Sequence, residues 1–197
     1  DIFSFDDVRT GNGRLAIQFL DDSVVKLTEH SKLVIDEFIY DPDPAKSKLA
    51  LNMASGTARF ITGKLGLINK ENISIKTPTA SIGIRGTDFT ATVDELGRSL
   101  IILLPNADGT SSGEITVTTA MGVEILNEAF QATMVSAWEQ EPTPKVTLGG
   151  MTLGMIDNML IIQKPPEVVQ AIEEQELGVS PTAELDKDFF EDAPDLD

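Results

Sequence analysis

The stretch Asn72-Ile73-Ser74-Ile75-Lys76-Thr77-Pro78-Thr79-Ala80-Ser81-Ile82-Gly83-Ile84-Arg85-Gly86-Thr87-Asp88-Phe89-Thr90-Ala91-Thr92-Val93 carries a period of two along most of its length. Ile73 and Ile75 alternate with polar residues, as do Phe89, Ala91 and Val93. A strand sends successive side chains to opposite faces, so this spacing predicts half-buried β-strands. Thr77-Pro78 ends the first of them, because proline brings no amide hydrogen to a ladder. Gly83 and Gly86 interrupt the run that follows and predict a bulge or a close approach of two backbones. Arg85, between Ile84 and Gly86, is expected to reach backbone carbonyls or a carboxylate such as Asp88. The alternative for Arg85 is an anionic ligand.

The same period extends upstream and downstream. Leu15, Ile17 and Phe19 form one apolar face, then Val25 and Leu27, Leu33 and Ile35, and Leu49, Leu51 and Met53. Further on come Ile115 and Val117, then Val123 and Ile125. Turn residues separate these runs: Gly11-Asn12-Gly13, Asp21-Asp22-Ser23, Asp41-Pro42-Asp43-Pro44, Asp94-Glu95-Leu96-Gly97 and Asn106-Ala107-Asp108-Gly109. Leu100-Ile101-Ile102-Leu103-Leu104 reads as a buried strand stopped by Pro105, joined to Ile115–Thr118 through a hairpin loop. Many short strands point to a sandwich, barrel or solenoid, and no βαβ alternation appears. The one convincing helix is late, about 166–177, with Pro166 suited to its first turn and Gly178 to its stop. From Pro165 to Asp197 there are eleven Asp and Glu against Lys187 alone, which reads as an acidic tail. Within that tail Phe189-Phe190 are candidate partner-docking residues.

Composition bounds the function. At 41% hydrophobic residues the chain of 197 can bury a real core. A formal charge of −17 argues against general nucleic-acid binding, which needs a basic surface, and against docking on anionic lipid. It fits solubility, cations or a basic partner surface equally well, and at least one partner with a basic surface is expected. There is no cysteine, hence no disulfide and no thiol chemistry. No apolar run is long enough for a membrane span. The sequence opens on Asp1 and not on methionine, a start compatible with a signal peptide or anchor ahead of it.

Catalytic motifs are missing. His30 is the only histidine and falls in a turn, no nucleophile elbow is present, and no glycine-rich phosphate loop occurs. The loop Asn106–Glu114 has oxygen side chains at alternate positions, but its Gly109 and Glu114 do not match an EF-hand. No enzyme, metal or cofactor is expected.

Residues Thr77, Pro78 and Ala80, then Gly83, Arg85, Gly86 and Thr87, then Phe89, together resemble the signature of the FecR-domain family. The upstream segments Ile17–Ser23, Leu33–Asp36 and Leu51–Gly56 with Phe60 are similar too, and the likeness covers about Val8 to Leu104. One departure is Asp22, where the family often has glycine. The resemblance implies a mostly β fold, a stacked-sheet or β-helix-like module, that contacts other proteins. With the change of composition beyond Pro165, the expected division is a FecR-like β domain (1–126), a β-rich extension of it (127–164) and a helix plus acidic C-terminal tail (165–197). Stand-alone FecR-domain proteins also occur among virion proteins of contractile-tailed phages. The function expected first is therefore a structural protein of a virion, present in repeated copies. The alternative is an extracytoplasmic signal- or ligand-binding domain of a FecR-type regulator, in the periplasm or cell envelope.

Overall fold

The computed structural model describes residues 2–41, 43, 46–64, 72–152 and 154–155. The alternating runs form strands β1 (Asp7–Arg9), β2 (Leu15–Gln18), β3 (Val24–Leu27), β4 (Lys32–Ile39), β5 (Lys48–Ile61), β6 (Ile73–Lys76), β7 (Ser81–Arg85), β8 (Asp88–Val93), β9 (Ser99–Leu103), β10 (Glu114–Thr118), β11 (Val123–Leu126), β12 (Gln131–Val135) and β13 (Val146–Thr147). The chain is mostly β. The helix near residue 166 and the acidic tail with Phe189 and Phe190 lie outside the described residues.

All thirteen strands belong to one sheet that folds over on itself at β5. The first half of β5 pairs antiparallel with β4 and parallel with β6. Its second half pairs antiparallel with β3 and β8. Two layers result. Layer A runs β1-β4-β5-β6-β7-β10-β11, and layer B runs β2-β3-β5-β8-β9-β12-β13. After β5 the chain places hairpin β6–β7 in A, β8–β9 in B, β10–β11 in A and β12–β13 in B. This alternation reconciles the stacked-sheet and β-helix-like descriptions. Each hairpin buries one face against the layer opposite.

The fold-over occurs at Gly56, whose φ of 86° lies in the left-handed region that side chains disfavour. A Cβ there would meet the Ser31 Cα at 2.5 Å and Cβ at 2.7 Å. Ser31 belongs to the link between β3 and β4, where the chain also passes from layer B to layer A. Its hydroxyl accepts the Thr57 amide at 3.1 Å, and the Thr57 carbonyl accepts the Thr28 amide at 3.0 Å. The two crossings are thus hydrogen-bonded to each other.

The main core lies between the layers and includes Leu33, Ile35 and Met53 from A and Leu27, Phe89 and Ile101 from B, none more than 1% exposed. Phe60 and Phe89 stack within it, centroids 4.9 Å apart and planes at 17°. Leu100, Ile102, Leu104, Ala132, Met134 and Leu148 form a second apolar cluster. β9 and β12 are accordingly buried along their whole length.

Two expectations are corrected. Val123 and Ile125 were assigned to the apolar face of their strand, yet they are exposed and Leu126 is buried. The reason is register: a tight turn, with the Thr119 amide on the Gly122 carbonyl, sets Ile115 opposite Leu126. The loop after Pro105 was expected to join two paired strands. Instead β9 pairs with β8 and β12, and β10 with β7 and β11. The loop is a crossover from B to A, with a turn of its own where Gly109 N–H meets the Asn106 carbonyl.

Gly56→Ala combines left-handed strain with overpacking against Ser31, so we expect a loss of about 3 kcal/mol. The urea midpoint checks this, and a wild-type midpoint would mean that the bend does not need glycine.

Candidate functional site

Most of the signature residues lie at the two ends of β7, in the turn that enters it and in the crossing that leaves it for β8. Thr77 to Ala80 form the β6–β7 turn, closed by the Thr77 amide on the Ala80 carbonyl at 2.9 Å. Pro78 occupies its second position, where a φ near −65° is already fixed. The hydroxyl of Thr77 accepts the Ala80 amide at 2.9 Å. It also accepts the Ser99 hydroxyl at 2.7 Å, and Ser99 lies 2.6 Å from the hydroxyl of Thr79. A hydroxyl has one hydrogen, so the chain of donation runs Thr79 to Ser99 to Thr77, whose hydrogen points at the Ala80 carbonyl. Thr77, Thr79 and Ser99 are all buried. The turn belongs to layer A and Ser99 to layer B, so these hydroxyls link the layers. Thr79 also lies 3.3 Å from the carbonyl of Val135 on β12.

Gly83 does not mark a bulge. It pairs in unbroken register with Thr116, and a Cβ there would find only ordinary contacts at 3.8 Å. Gly86 is the residue that needs its freedom, with φ 56° at the passage from β7 in layer A to β8 in layer B. Gly113 packs against that passage, where a Cβ would strike the Thr87 methyl at 2.8 Å. Thr87 is held through its backbone: its carbonyl accepts the Thr62 hydroxyl at 2.6 Å and the Thr62 amide at 3.0 Å. Phe89 delivers the ring stacked on Phe60.

Arg85 departs from expectation. It is exposed at the end of β7, opposite Glu114, and bonds neither carbonyl nor carboxylate among the described residues. Strand alternation is the cause, since buried Ile84 turns its neighbour outward. The carboxylate of Asp88 is taken by Arg59, with Nε to Oδ1 at 2.9 Å and a terminal nitrogen to Oδ2 at 2.6 Å. Those side chains are 14% and 18% exposed, so this two-point pair joins β5 to β8 in a largely dry setting. Ser112 completes the corner: its hydroxyl accepts the Asp88 amide at 2.9 Å and donates to the Leu104 carbonyl at 2.6 Å. Sequence reasoning missed Thr79, Ser99, Arg59 and Ser112. Only their positions beside turns or on an outward strand face hinted at them.

His30 is an exposed turn residue with φ 53°. Among the described residues no group of three or more His, Cys, Asp or Glu could hold a metal ion. In the Asn106–Glu114 loop, Asp108 accepts the Thr110 hydroxyl at 2.6 Å and amide at 3.0 Å, and the hydroxyl bond foremost holds its carboxyl below the usual range. Its Oδ1 serves the turn. Asp22, in place of the family's glycine, adopts φ 68°, a conformation that Asp tolerates better than most side chains.

These contacts separate the two arginines. Arg59→Ala should cost about 3 kcal/mol, because it strands the Asp88 carboxylate in a dry corner. Arg85→Ala should stay within about 0.5 kcal/mol of wild type. Chemical denaturation of both variants checks this, and the reverse ranking would restore Arg85 as the structural arginine. For the hydroxyl link, Thr77→Val and Ser99→Ala should each cost about 1–3 kcal/mol and combine to less than their sum. A double-mutant cycle measures the coupling; strict additivity would mean that the two hydroxyls act independently.

Comparison with known proteins agrees with this architecture. No curated protein matches the chain. Two solved structures of a candidate anti-sigma factor from Parabacteroides distasonis ATCC 8503, at 1.65 and 2.50 Å resolution, share the fold with a TM-score of 0.53 at 16% sequence identity. They cover 72% and 73% of this chain, which spans 59% and 60% of theirs. The model of the family described as FecR protein matches residues 6–106. That match takes in the upstream strands, the hydroxyl-linked turn and the Gly86 crossing, and the chain belongs to the FecR family.

Proposed function

We propose that this chain is the protein-binding domain of a FecR-type regulator, acting outside the cytoplasm in the periplasm or cell envelope, without enzymatic activity. The observation that carries this reading is the family match over residues 6–106, in a fold shared with a candidate anti-sigma factor. The signature residues support it from the other side. Thr77, Ala80, Gly86, Thr87 and Phe89 are used in building the layers, which leaves the surface, and not a reaction centre, to carry function. The virion role that stand-alone members of the family suggested draws no support from these comparisons, and the regulator reading is preferred. Partners are proteins, at least one of them basic, because a chain of formal charge −17 gains encounter rate and specificity from opposite charge.

Two measurements in the native host test the proposal. Fractionation should find the chain with the cell envelope, and in-frame deletion of residues 6–106 should change transcription of a defined gene set. Co-sedimentation with phage-like particles and an unchanged transcript profile would overturn it and restore the virion role. Association with a basic partner should weaken as salt rises from roughly 0.05 to 0.5 M.

A further inference from the structure

The four strands at the layer ends are guarded unequally. β1 carries Asp7 and Arg9, paired at 2.9 Å, with Lys32 3.3 Å from the same carboxylate. β11 carries Glu124, and the Lys145 ammonium donates to its Ile125 carbonyl at 2.9 Å. β13 has only two residues. β2 has no such guard: from Leu15 through Leu20 there is neither charge nor proline. Proteins blunt free edges with charge, proline, bulges or shortness, so a bare edge is one available for pairing.

The unused groups of β2 can be placed. Ile17 lies opposite Val25, and the Phe19 amide donates to the Ser23 carbonyl at 2.9 Å. Hydrogen-bonded pairs alternate along an antiparallel ladder, so the odd residues bond β3. The amides and carbonyls of Ala16 and Gln18 therefore point away from β3, with no partner among the described residues. Beside them the two layers gape. A groove of about 610 Å³ is lined by Ile17, Phe19, Ile35 and Phe38, with Ile2 and Phe3 in its wall. Leu20 at its rim is 71% exposed and Phe3 66%.

We propose that β2 is a docking edge for an extended strand of a partner protein, which lengthens layer B and covers the groove. This rests on the protein-binding reading above and names its site. The edge dictates the partner's chemistry: an extended backbone to meet Ala16 and Gln18, and apolar side chains at every second position to enter the groove. Asp22 ends the edge with its side chain 57% exposed though paired with Lys64 at 2.7 Å, buried Asp21 beside it is taken by Ser23, and the chain's formal charge is −17. Charge complementarity therefore calls for basic residues at the partner's outward positions and disfavours a second copy of this chain.

The test uses the full chain and a synthetic peptide alternating valine and lysine. Hydrogen exchange should show the Ile17 amide protected with or without peptide, and the Ala16 and Gln18 amides protected only with it. In an antiparallel pairing the lysine amides face β2, and in a parallel one the valine amides do. Methylating one set should abolish binding while methylating the other spares it. Ala16→Pro removes only an outward donor, so it should weaken binding about tenfold or more while the unfolding midpoint holds. Peptide binding that protects other amides, or that survives both methylations, overturns the β2 site while leaving the envelope and transcription results to judge the broader reading. Protection of Ala16 and Gln18 that grows with protein concentration alone would give the edge to a second copy and overturn the choice of partner.

Discussion

β5 is hydrogen-bonded to four strands, two in each layer, and everything else is arranged around that double duty. In its first half the inward residues are odd: Leu49, Leu51 and Met53. In its second half they are even: Ala58 and Phe60. A regular strand cannot change parity, because its side chains alternate strictly. The change is absorbed around Gly56, where the left-handed backbone resets the phase and turns the strand into the opposite layer. Without that reset, one half of β5 would present Arg59 to the core and Phe60 to solvent. The parity change and the fold-over are one event.

A sheet folded on itself still has to hold its layers in register. Apolar packing is non-directional and resists sliding poorly, whereas hydrogen bonds across the gap specify position. The Thr77, Thr79 and Ser99 hydroxyls do this at the β6–β7 turn, and Ser31 with Thr57 does it at the bend. Short hydroxyl side chains suit the task, since each donates once, accepts twice and needs little room. The two-point Arg59–Asp88 pair instead joins neighbouring strands within layer B. This explains why the family signature is rich in threonine and glycine while holding so few groups able to perform chemistry.

The sequence showed what is local and hid what is long-range. Period two identified the strands, and Pro78, Asp94-Gly97 and Asn106-Gly109 marked turns that the structure contains. Burial of Leu100–Leu104 was equally visible from its unbroken apolar run. The parity of β11 was not, because the turn at Ala120-Met121 sets it and overrides the hydrophobicity of Val123 and Ile125. Gly83 and Gly86 look alike in a string; only the layer crossing tells them apart. Arg85 lies three residues from Asp88, but strand alternation points it outward, while Arg59, twenty-nine residues away, is placed beside the carboxylate by the β5–β8 ladder. Local adjacency was a poor guide wherever register made the choice.

The same architecture narrows where recognition can happen. Among the described residues alternating hairpins pair every interior strand on both sides over part of its length, so a whole strand edge is left open at the layer ends. β1 and β11 spend theirs among charges, and β13 is too short to template a long partner strand. At the β2 end, the edge lies beside an open groove lined by Ile17, Phe19, Ile35 and Phe38, so one added strand gains backbone hydrogen bonds and apolar burial together. The edge is also held in place before any partner arrives: β3 fixes it on one side, and Ile17 and Phe19 anchor it in the main core. A partner strand then loses conformational entropy on its own side only, which favours selective recognition by a small surface. Rigidity created by the bend at Gly56 is in this way passed outward through β3, the strand that β5 and β2 share.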